Sequence, residues 1–165
     1  MGICGGDCAG KKEMIHYMFK NKEEEWAIRE TGEPVAILHQ AHFIDPARGN
    51  KYTSDGTNWE LFYKQALSLL IGNEIEVNYQ RNGEEQKVVV KPAKLLIIEG
   101  SHIFMSNEVT KNLSTLINLK VFIDSDSDVR LSRRVYQDTI DNKRDLGWSI
   151  NNYLEHIKPS YDREI

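Results

Sequence analysis

The glycine-rich stretch GICGGDCAGKK at residues 2–12 constrains the fold of this chain more than any other feature of its sequence. The pattern G-x-x-x-x-G-K runs from Gly5 to Gly10 and Lys11, and Lys12 stands where a nucleotide-binding loop carries Ser or Thr. Such a loop lies between a strand and a helix, because backbone N–H groups and the positive helix end then point at one anion. We therefore expect a strand–loop–helix unit in which an ammonium group replaces the hydroxyl that holds Mg²⁺.

Short apolar segments alternate with amphipathic ones along the rest of the chain. The patterns predict strands at 34–40, 94–100 and 119–124, and helices at 11–20, 58–72, 128–140 and from 146 to at least Pro159. Asn58 is expected to cap the second helix and Gly72 to end it, and the charged run 20–30 is expected to continue the first helix. Residues 41–57 are expected to form a polar loop. The turn signal RNGE predicts a β-hairpin over 74–91. This order predicts a single α/β domain over 1–165, with a mostly parallel sheet and crossover helices.

Composition excludes several functional classes. The net charge of −4 gives no basis for bulk binding to nucleic acid or anionic membranes. No apolar run approaches about 18 residues, so no transmembrane segment is expected. Cys4 and Cys8 lack further His or Cys neighbours that would complete a zinc site, and we expect reduced thiols, no metal and an intracellular location, cytoplasmic or mitochondrial.

Several segments together resemble the uridine–cytidine kinases of the phosphoribulokinase/uridine kinase family of P-loop kinases. They are GICGGDCAGKK, ILHQAHF, NWELFYKQALSLLIGNEIEV, AKLLIIEG, LKVFIDSDSDVRLSRRV and RDLGWSINNYLEHIKPSYDREI, in the family's order and spacing. The resemblance implies a P-loop NTPase-like parallel sheet with crossover helices and a short hairpin. It also implies a chain truncated at both ends, without the family's last strand, and a lid-like basic segment at 128–144.

The resemblance also implies which residues would bind a nucleotide if binding is retained. Lys11 matches the loop lysine, Glu99 the carboxylate after the third strand, and a set of arginines the family's lid. The full set is Gly5, Gly6, Gly10, Lys11, Glu99, Arg130, Arg134 and Arg144, with Arg133 also matching a family arginine.

Other positions depart from the family's pattern. The segment His39–Gln40–Ala41 replaces a Ser-Gln-Asp motif, so Ala41 stands in place of the general base, and Lys12 replaces the magnesium ligand. Asp45 is the alternative base. The nucleoside-binding hairpin is shorter and keeps only Tyr79 and Arg81, while Gln137, Asn142 and Asn152 replace two phosphate-facing arginines and a sugar-binding Gln. The resemblance therefore implies that no catalytic site is intact and that no metal is bound.

Asp7 lies inside the loop, where the family has small neutral residues. A carboxylate at this position would cap the positive helix end and repel phosphate. We expect Lys11 or Lys12 to lie within about 4 Å of Asp7 or Glu99, because the positive site needs an anion. The alternative is an isolated Asp7 beside an open site.

These observations predict a pseudoenzyme: a degenerate uridine kinase-like domain that acts as an accessory subunit of a larger protein assembly, with a mitochondrial respiratory complex as one specific form. No cofactor is then expected. One alternative is an active nucleoside kinase that transfers the γ-phosphate of Mg·ATP to uridine or cytidine. Another is a nucleotide-binding sensor without turnover.

Overall fold

The computed structural model describes residues 1–20, 35–81, 83–105 and 110–164. The strands are β1 (Gly2–Gly5), β2 (Val35–His39), β3 (Ile75–Arg81), β4 (Glu84–Val90), β5 (Leu95–Gly100) and β6 (Lys120–Ile123). The helices are α1 (Lys11–Lys20), α2 (Trp59–Leu70), α3 (Lys111–Thr115), α4 (Ser127–Tyr136), α5 (Leu146–Asn152) and α6 (Lys158–Glu164). The sequence predicts that helix α1 continues over residues 20–30, which include Trp26. Apart from residue 20, this segment lies outside the described residues.

Four strands form a parallel sheet in the order β2-β5-β1-β6. Ile3 is opposite Glu99 on one side and opposite Val121 on the other, which places β1 at the centre. Parallel strands end at the same edge of a sheet, so the residues that follow β1, β2 and β5 meet there. The predicted α/β class with crossover helices is therefore confirmed.

The two faces of the sheet carry separate apolar clusters. Ile3 and Ile97 pack with Ile15 of α1 on one face. Cys4 and Ile98 belong to the larger cluster on the other face, which includes the fully buried Phe62 of α2. Successive residues of β1 thus pack into opposite clusters. The loop after β1 connects this buried strand to α1.

Local sequence signals account for the ends of α2. The side chain of Asn58 accepts a hydrogen bond from the backbone N–H of Leu61 at 3.1 Å, which is the predicted N-cap. Gly72 adopts a φ of +91°, and the N–H groups of Gly72 and Asn73 donate to carbonyls of the last turn. This left-handed ending is typical of glycine, because a Cβ atom disfavours positive φ.

The predicted hairpin is present as a separate two-stranded antiparallel sheet of β3 and β4. Its register pairs Ile75 with Val90 and Arg81 with Glu84. The ring of Tyr79 stacks on His42, with ring centroids 3.9 Å apart, and this contact ties the hairpin to the segment after β2.

Three segments differ from the sequence prediction. The expected loop 41–57 contains two 3-10 turns, Gln40–Phe43 and Ser54–Gly56. The basic helix ends as α4 at Tyr136 and continues as a π-helical turn, Gln137–Asp141. The helix predicted from 146 to at least Pro159 reaches past that residue, but a second π-helical turn, Tyr153–Ile157, separates α5 from α6. Among the described residues, no helix has both the length and the apolar character needed to cross a bilayer.

Candidate functional site

A cleft of about 1070 Å³ opens at the edge of the sheet where the parallel strands end. Its walls come from the loop after β1, the turn after β2, the residues after β5, and helix α4 with the turn that follows it. The volume is that of a site for a nucleotide-sized molecule. Many of the residues that the sequence analysis singled out line this cleft. They are Gly10, Lys11, Lys12, Ala41, Glu99, Arg133, Arg134, Gln137 and Arg144.

Lys11 is buried beneath the loop. Its Nζ donates to the carbonyl oxygens of Gly5 and Gly6, both at 2.9 Å, and lies 3.6 Å from Oε1 of Glu99. The expected ion pair between a loop lysine and Glu99 is therefore present. Lys12, the next residue along α1, is exposed and lines the cleft.

Glu99 has a partner on each carboxylate oxygen. Nδ1 of His39 donates to Oε2 at 2.8 Å, while Lys11 lies beside Oε1. Burial alone would raise the pKa of Glu99, but the hydrogen bond from His39 and the charges of Lys11 and Lys12 outweigh it and hold that pKa below its ordinary value. Glu99 is thus an anion whose charge is balanced by side chains of the same chain.

Asp7 pairs with an arginine of α4. Nη1 of Arg134 lies 2.7 Å from Oδ2 of Asp7, and Nε of Arg134 lies 2.7 Å from Oδ2 of Asp138. The partner of Asp7 is therefore an arginine of α4, whereas the lysine–carboxylate pair expected from the sequence is the one between Lys11 and Glu99. The physical reason is that α4 packs across the loop and brings a guanidinium closer to Asp7 than either lysine.

Asp138 is a buried anion that the sequence analysis did not identify. It is 1% exposed, and it accepts from Nε of Arg134 at 2.7 Å, Nη1 of Arg144 at 3.2 Å and Oγ of Ser149 at 3.0 Å. Burial alone would raise the pKa of Asp138. Its hydrogen bonds and charge interactions with Arg134, Ser149 and Arg144 have a larger opposite effect, so this pKa lies below its ordinary value. The spacing Arg134–Asp138 on one helix, a typical i,i+4 ion pair, was the signal that could have revealed it.

Of the other two arginines of α4, Arg133 contacts the loop backbone and Arg130 lies buried next to it. Nη1 of Arg133 donates to the carbonyls of Cys8 at 3.3 Å and Ala9 at 3.2 Å. Arg130 is 2% exposed, donates through Nε to the carbonyl of Ser125, and stacks on the ring of Tyr161 at 3.7 Å. The structure thus brings Arg130, Arg133 and Arg134 to the loop, as the sequence resemblance implies.

Gly6 and Gly10 are required by this packing. A Cβ atom at Gly6 would lie 2.5 Å from Nη1 of Arg130, which is closer than real contacts allow. Gly10 has a φ of +101°, a conformation that favours glycine. The glycines therefore permit both the turn of the loop and the close approach of α4.

Ala41 and Asp45, the two positions that the sequence analysis considered for the general base, lie in different surroundings. Ala41 contributes only a methyl group to the cleft wall. Asp45, the alternative base, is not among the residues that line the cleft; its carboxylate accepts from the N–H of Ala47 and pairs with Arg48 at 3.5 Å. Asn152 is buried and accepts from the hydroxyl of Tyr52 at 2.7 Å.

The cysteines are free thiols. Burial and the nearby charge of Asp7 raise the pKa of Cys8 to about 12, so this thiol stays protonated. Within the ranges that the structure describes, no group of three or more His, Cys, Asp and Glu side chains is arranged to hold a metal ion.

The sequence model of the phosphoribulokinase/uridine kinase family matches residues 1–165. The chain belongs to this family. A uridine kinase of Halobacterium salinarum is 27% identical over 169 residues, covering all of this chain and 73% of that protein. A uridine kinase of Lactobacillus helveticus is 29% identical, and the alignment covers all of this chain and 79% of that protein. The uridine kinase-like protein 3 of Arabidopsis thaliana is 25% identical, but the chain spans only 35% of its length.

Solved structures share the fold at low sequence identity. A candidate fructose transport system kinase of Silicibacter sp. TM1040 superimposes with a TM-score of 0.76 at 13% identity, over 98% of this chain and 81% of that one. A possible uridine kinase of Bacillus stearothermophilus gives a TM-score of 0.57 at 17% identity, over 96% and 82%. At such identities the likeness establishes the fold alone.

Proposed function

We propose that this chain is a catalytically inactive uridine kinase-like domain that acts through association with other proteins. The observation that carries the proposal is the state of Glu99, the remaining carboxylate of the cleft floor. Both of its oxygens are held by His39 and Lys11, at 2.8 and 3.6 Å. These partners within the chain compete with a metal ion for the carboxylate.

The residues of the cleft do not fit a magnesium–nucleotide complex. Mg²⁺ prefers oxygen ligands in near-octahedral geometry, whereas Lys12 and Ala41 supply none. The charge of Lys12 contributes to the lowered pKa of Glu99, so this ammonium group adds positive charge to the same part of the cleft. Two positive charges about 4 Å apart repel by about 4 kcal/mol at an effective dielectric constant of 20, and a divalent ion doubles that energy.

The absence of a carboxylate at position 41 adds a separate loss. Removal of a general base typically lowers the rate by about 10²–10⁴-fold. Asp45, turned towards Arg48, does not compensate. The metal ligand and the base come from different elements, α1 and the turn after β2, so one local change does not restore both.

Exposed apolar side chains support an accessory role in an assembly. Phe122 on β6 is 46% exposed, and Tyr136 and Ile140 after α4 are 63% and 53% exposed. In the described sheet β6 pairs only with β1, so one edge of it has no strand partner. A subunit of a mitochondrial respiratory complex is one specific form of this proposal.

A nucleotide-binding domain without turnover is a second candidate function. The cleft has the volume for a nucleotide, and Lys11 lies in the loop that binds phosphate in related folds. An active nucleoside kinase is the alternative that the names of the relatives favour.

The first experiment measures phosphorylation of uridine and cytidine with Mg·ATP. We expect no turnover above the rate without protein, because neither base nor metal ligand is in place. The uridine kinase of Halobacterium salinarum is the matched positive control. A turnover number within the usual enzyme range, roughly 1–10³ s⁻¹, would overturn the inactive assignment.

The second experiment addresses the accessory role. The protein is isolated from its own cells under native conditions, and its mass is measured by size-exclusion chromatography with light scattering. We expect a mass well above that of the single chain, with other polypeptides in the same fraction. Elution as a lone monomer would contradict the proposal.

A further inference from the structure

We propose that strand β6 pairs with β6 of a second copy of this chain, antiparallel and centred on Phe122, so that two sheets continue into one. The occupant is a second copy because the exposed side chains of β6 are complementary to themselves in this register. The inference goes beyond the proposed accessory role, which concerns other polypeptides, and it does not depend on the loss of catalysis.

The backbone of β6 has hydrogen-bonding groups on its outer side. Within the described sheet, the neighbour of β6 is β1. The carbonyl oxygen of Leu119 accepts from the N–H of Gly2 at 2.8 Å, so it points towards β1. Successive residues of a strand direct their backbone groups to opposite sides, so the N–H and C=O groups of Lys120 and Phe122 point away from β1. These are the groups to which a further strand would bond.

The side chains of this edge form a row with opposite charges at its two ends. Lys120 and Phe122 share one face of the strand, and Asp124, which directly follows the strand, is the next position on that face. All three are exposed, Phe122 by 46%, whereas the residues between them are half-buried. Nζ of Lys120 donates to the neutral hydroxyl of Ser114 at 2.7 Å, a contact that does not balance its charge. The row therefore has an apolar centre, a positive end and a negative end.

Only one antiparallel register makes this row complementary to itself. A pair centred on Phe122 places the two Phe122 rings opposite each other and Lys120 opposite Asp124 of the second copy, twice by symmetry. Centring the pair on Lys120 or on Asp124 would place like charges opposite each other. Centring it on Val121 or on Ile123 would place a charge opposite Phe122. Cross-strand aromatic and opposite-charge pairs stabilise a sheet, and like charges destabilise it.

The chosen register also fits the backbone. The residues whose N–H and C=O groups point outwards on one copy must meet the outward-pointing residues of the other. In the pair centred on Phe122, Lys120 and Phe122 meet Asp124 and Phe122 of the second copy, which all belong to the outward set. Both the hydrogen bonds and the charges are therefore satisfied in the same arrangement.

The test is the mass of the purified full chain by sedimentation equilibrium, at concentrations from about 1 to 100 μM. We expect a monomer–dimer equilibrium. Lys120→Asp and Asp124→Lys should each weaken the dimer about tenfold, because two like-charge pairs replace two opposite-charge pairs. Lys64→Asp, at an exposed position of α2, makes the same charge change as Lys120→Asp and should leave the dimer unaltered. Thermal melts of all variants show that they fold.

A charge exchange tests the register itself. The double variant Lys120→Asp with Asp124→Lys should recover the affinity of the unmodified chain, because the two pairs are restored with their signs reversed. An equimolar mixture of the two single variants should form a heterodimer that is tighter than either homodimer, since an acidic edge then faces a basic one.

The inference is overturned if the purified chain is a monomer at about 100 μM, or if Lys120→Asp and Lys64→Asp behave alike. It is also overturned if the mixed single variants associate no more tightly than each does alone. None of these outcomes bears on the accessory role, which is tested by the other polypeptides that accompany the chain on isolation from its own cells.

Discussion

At the scale of single residues, the proposed loss of phosphoryl transfer depends on Lys12, Ala41 and His39. Under that proposal, Lys12 supplies a positive charge where the resemblance implies an oxygen ligand, and Ala41 supplies a methyl group where it implies a proton acceptor. His39 donates a hydrogen bond to Oε2 of Glu99. Each residue acts at the same edge of the sheet, but through a different physical effect.

The double substitution Lys12→Thr with Ala41→Asp should not restore nucleoside phosphorylation. Glu99 would still be bound by His39, and Gln137 and Asn142 would still stand in place of two arginines. The measurement is uridine phosphorylation with Mg·ATP, with Lys12→Thr alone as the control and thermal unfolding to show that both variants fold. Recovery to a turnover of about 1 s⁻¹ would mean that the rest of the pocket is intact.

At the scale of elements, α4 is attached to the phosphate loop by two consecutive arginines. Arg133 contacts the carbonyls of Cys8 and Ala9, and Arg134 pairs with Asp7. Asp138 then joins the end of α4 to α5, because Arg134 and Ser149 both bind its Oδ2. The basic helix is therefore held over the loop by contacts within the chain.

Asp138→Asn should lower the free energy of unfolding by about 3–5 kcal/mol, the usual range for breaking a buried ion pair. The variant leaves Arg134 and Arg144 without their common anion. Urea denaturation at neutral pH measures the change. Asp128→Asn, at an exposed position on α4, is the matched control and should stay within about 0.5 kcal/mol of the unmodified protein. Equal stability of the two variants would show that the network contributes nothing.

At the scale of the whole molecule, the site exists because the sheet brings distant segments to one edge. Glu99, near the end of β5, lies beside Lys11 of α1, and α4 forms another wall of the cleft. Two buried carboxylates, Glu99 and Asp138, are consequently charged in the folded protein. For both groups burial opposes the charge, and the surrounding hydrogen bonds and cations overcome it, so both pKa values are lowered.

Stability should therefore fall at acidic pH. A carboxyl group whose pKa is lower in the folded state binds fewer protons there than in the unfolded chain. Its stabilisation is complete above the unfolded pKa, about 3.9 for Asp and 4.3 for Glu, and is lost as the pH falls through the folded value. We expect the urea midpoint to decrease below a pH of about 4.

The matched comparison for this pH dependence is the variant Asp138→Asn, which should show a shallower decrease because one of the two titrating groups is gone. Glu99→Gln should act in the same direction. An unchanged midpoint between neutral pH and a pH of about 3, or identical slopes in all three proteins, would contradict the assignment.

Local features of the fold were predictable from the sequence. The cap at Asn58, the ending at Gly72 and the turn of the hairpin depend on the residue types of a few neighbouring positions, and the structure contains all three. The π-helical turn after Tyr136 was not predictable in this way. Asp138 in that turn bonds Arg144 and Ser149, and such contacts leave no periodic signal in the sequence.

The sequence by itself determined the fold class and the strand–loop–helix unit at residues 2–20, and it is the source of the prediction that a hydroxyl at position 12 and a carboxylate at position 41 are missing. These follow from residue identity and short-range spacing. Only the tertiary structure decided the partner of each charge in the cleft. Asp7 pairs with Arg134, which lies 127 positions away along the chain. The energy of an ion pair depends on separation in space, and the packing of α4 across the loop sets that separation.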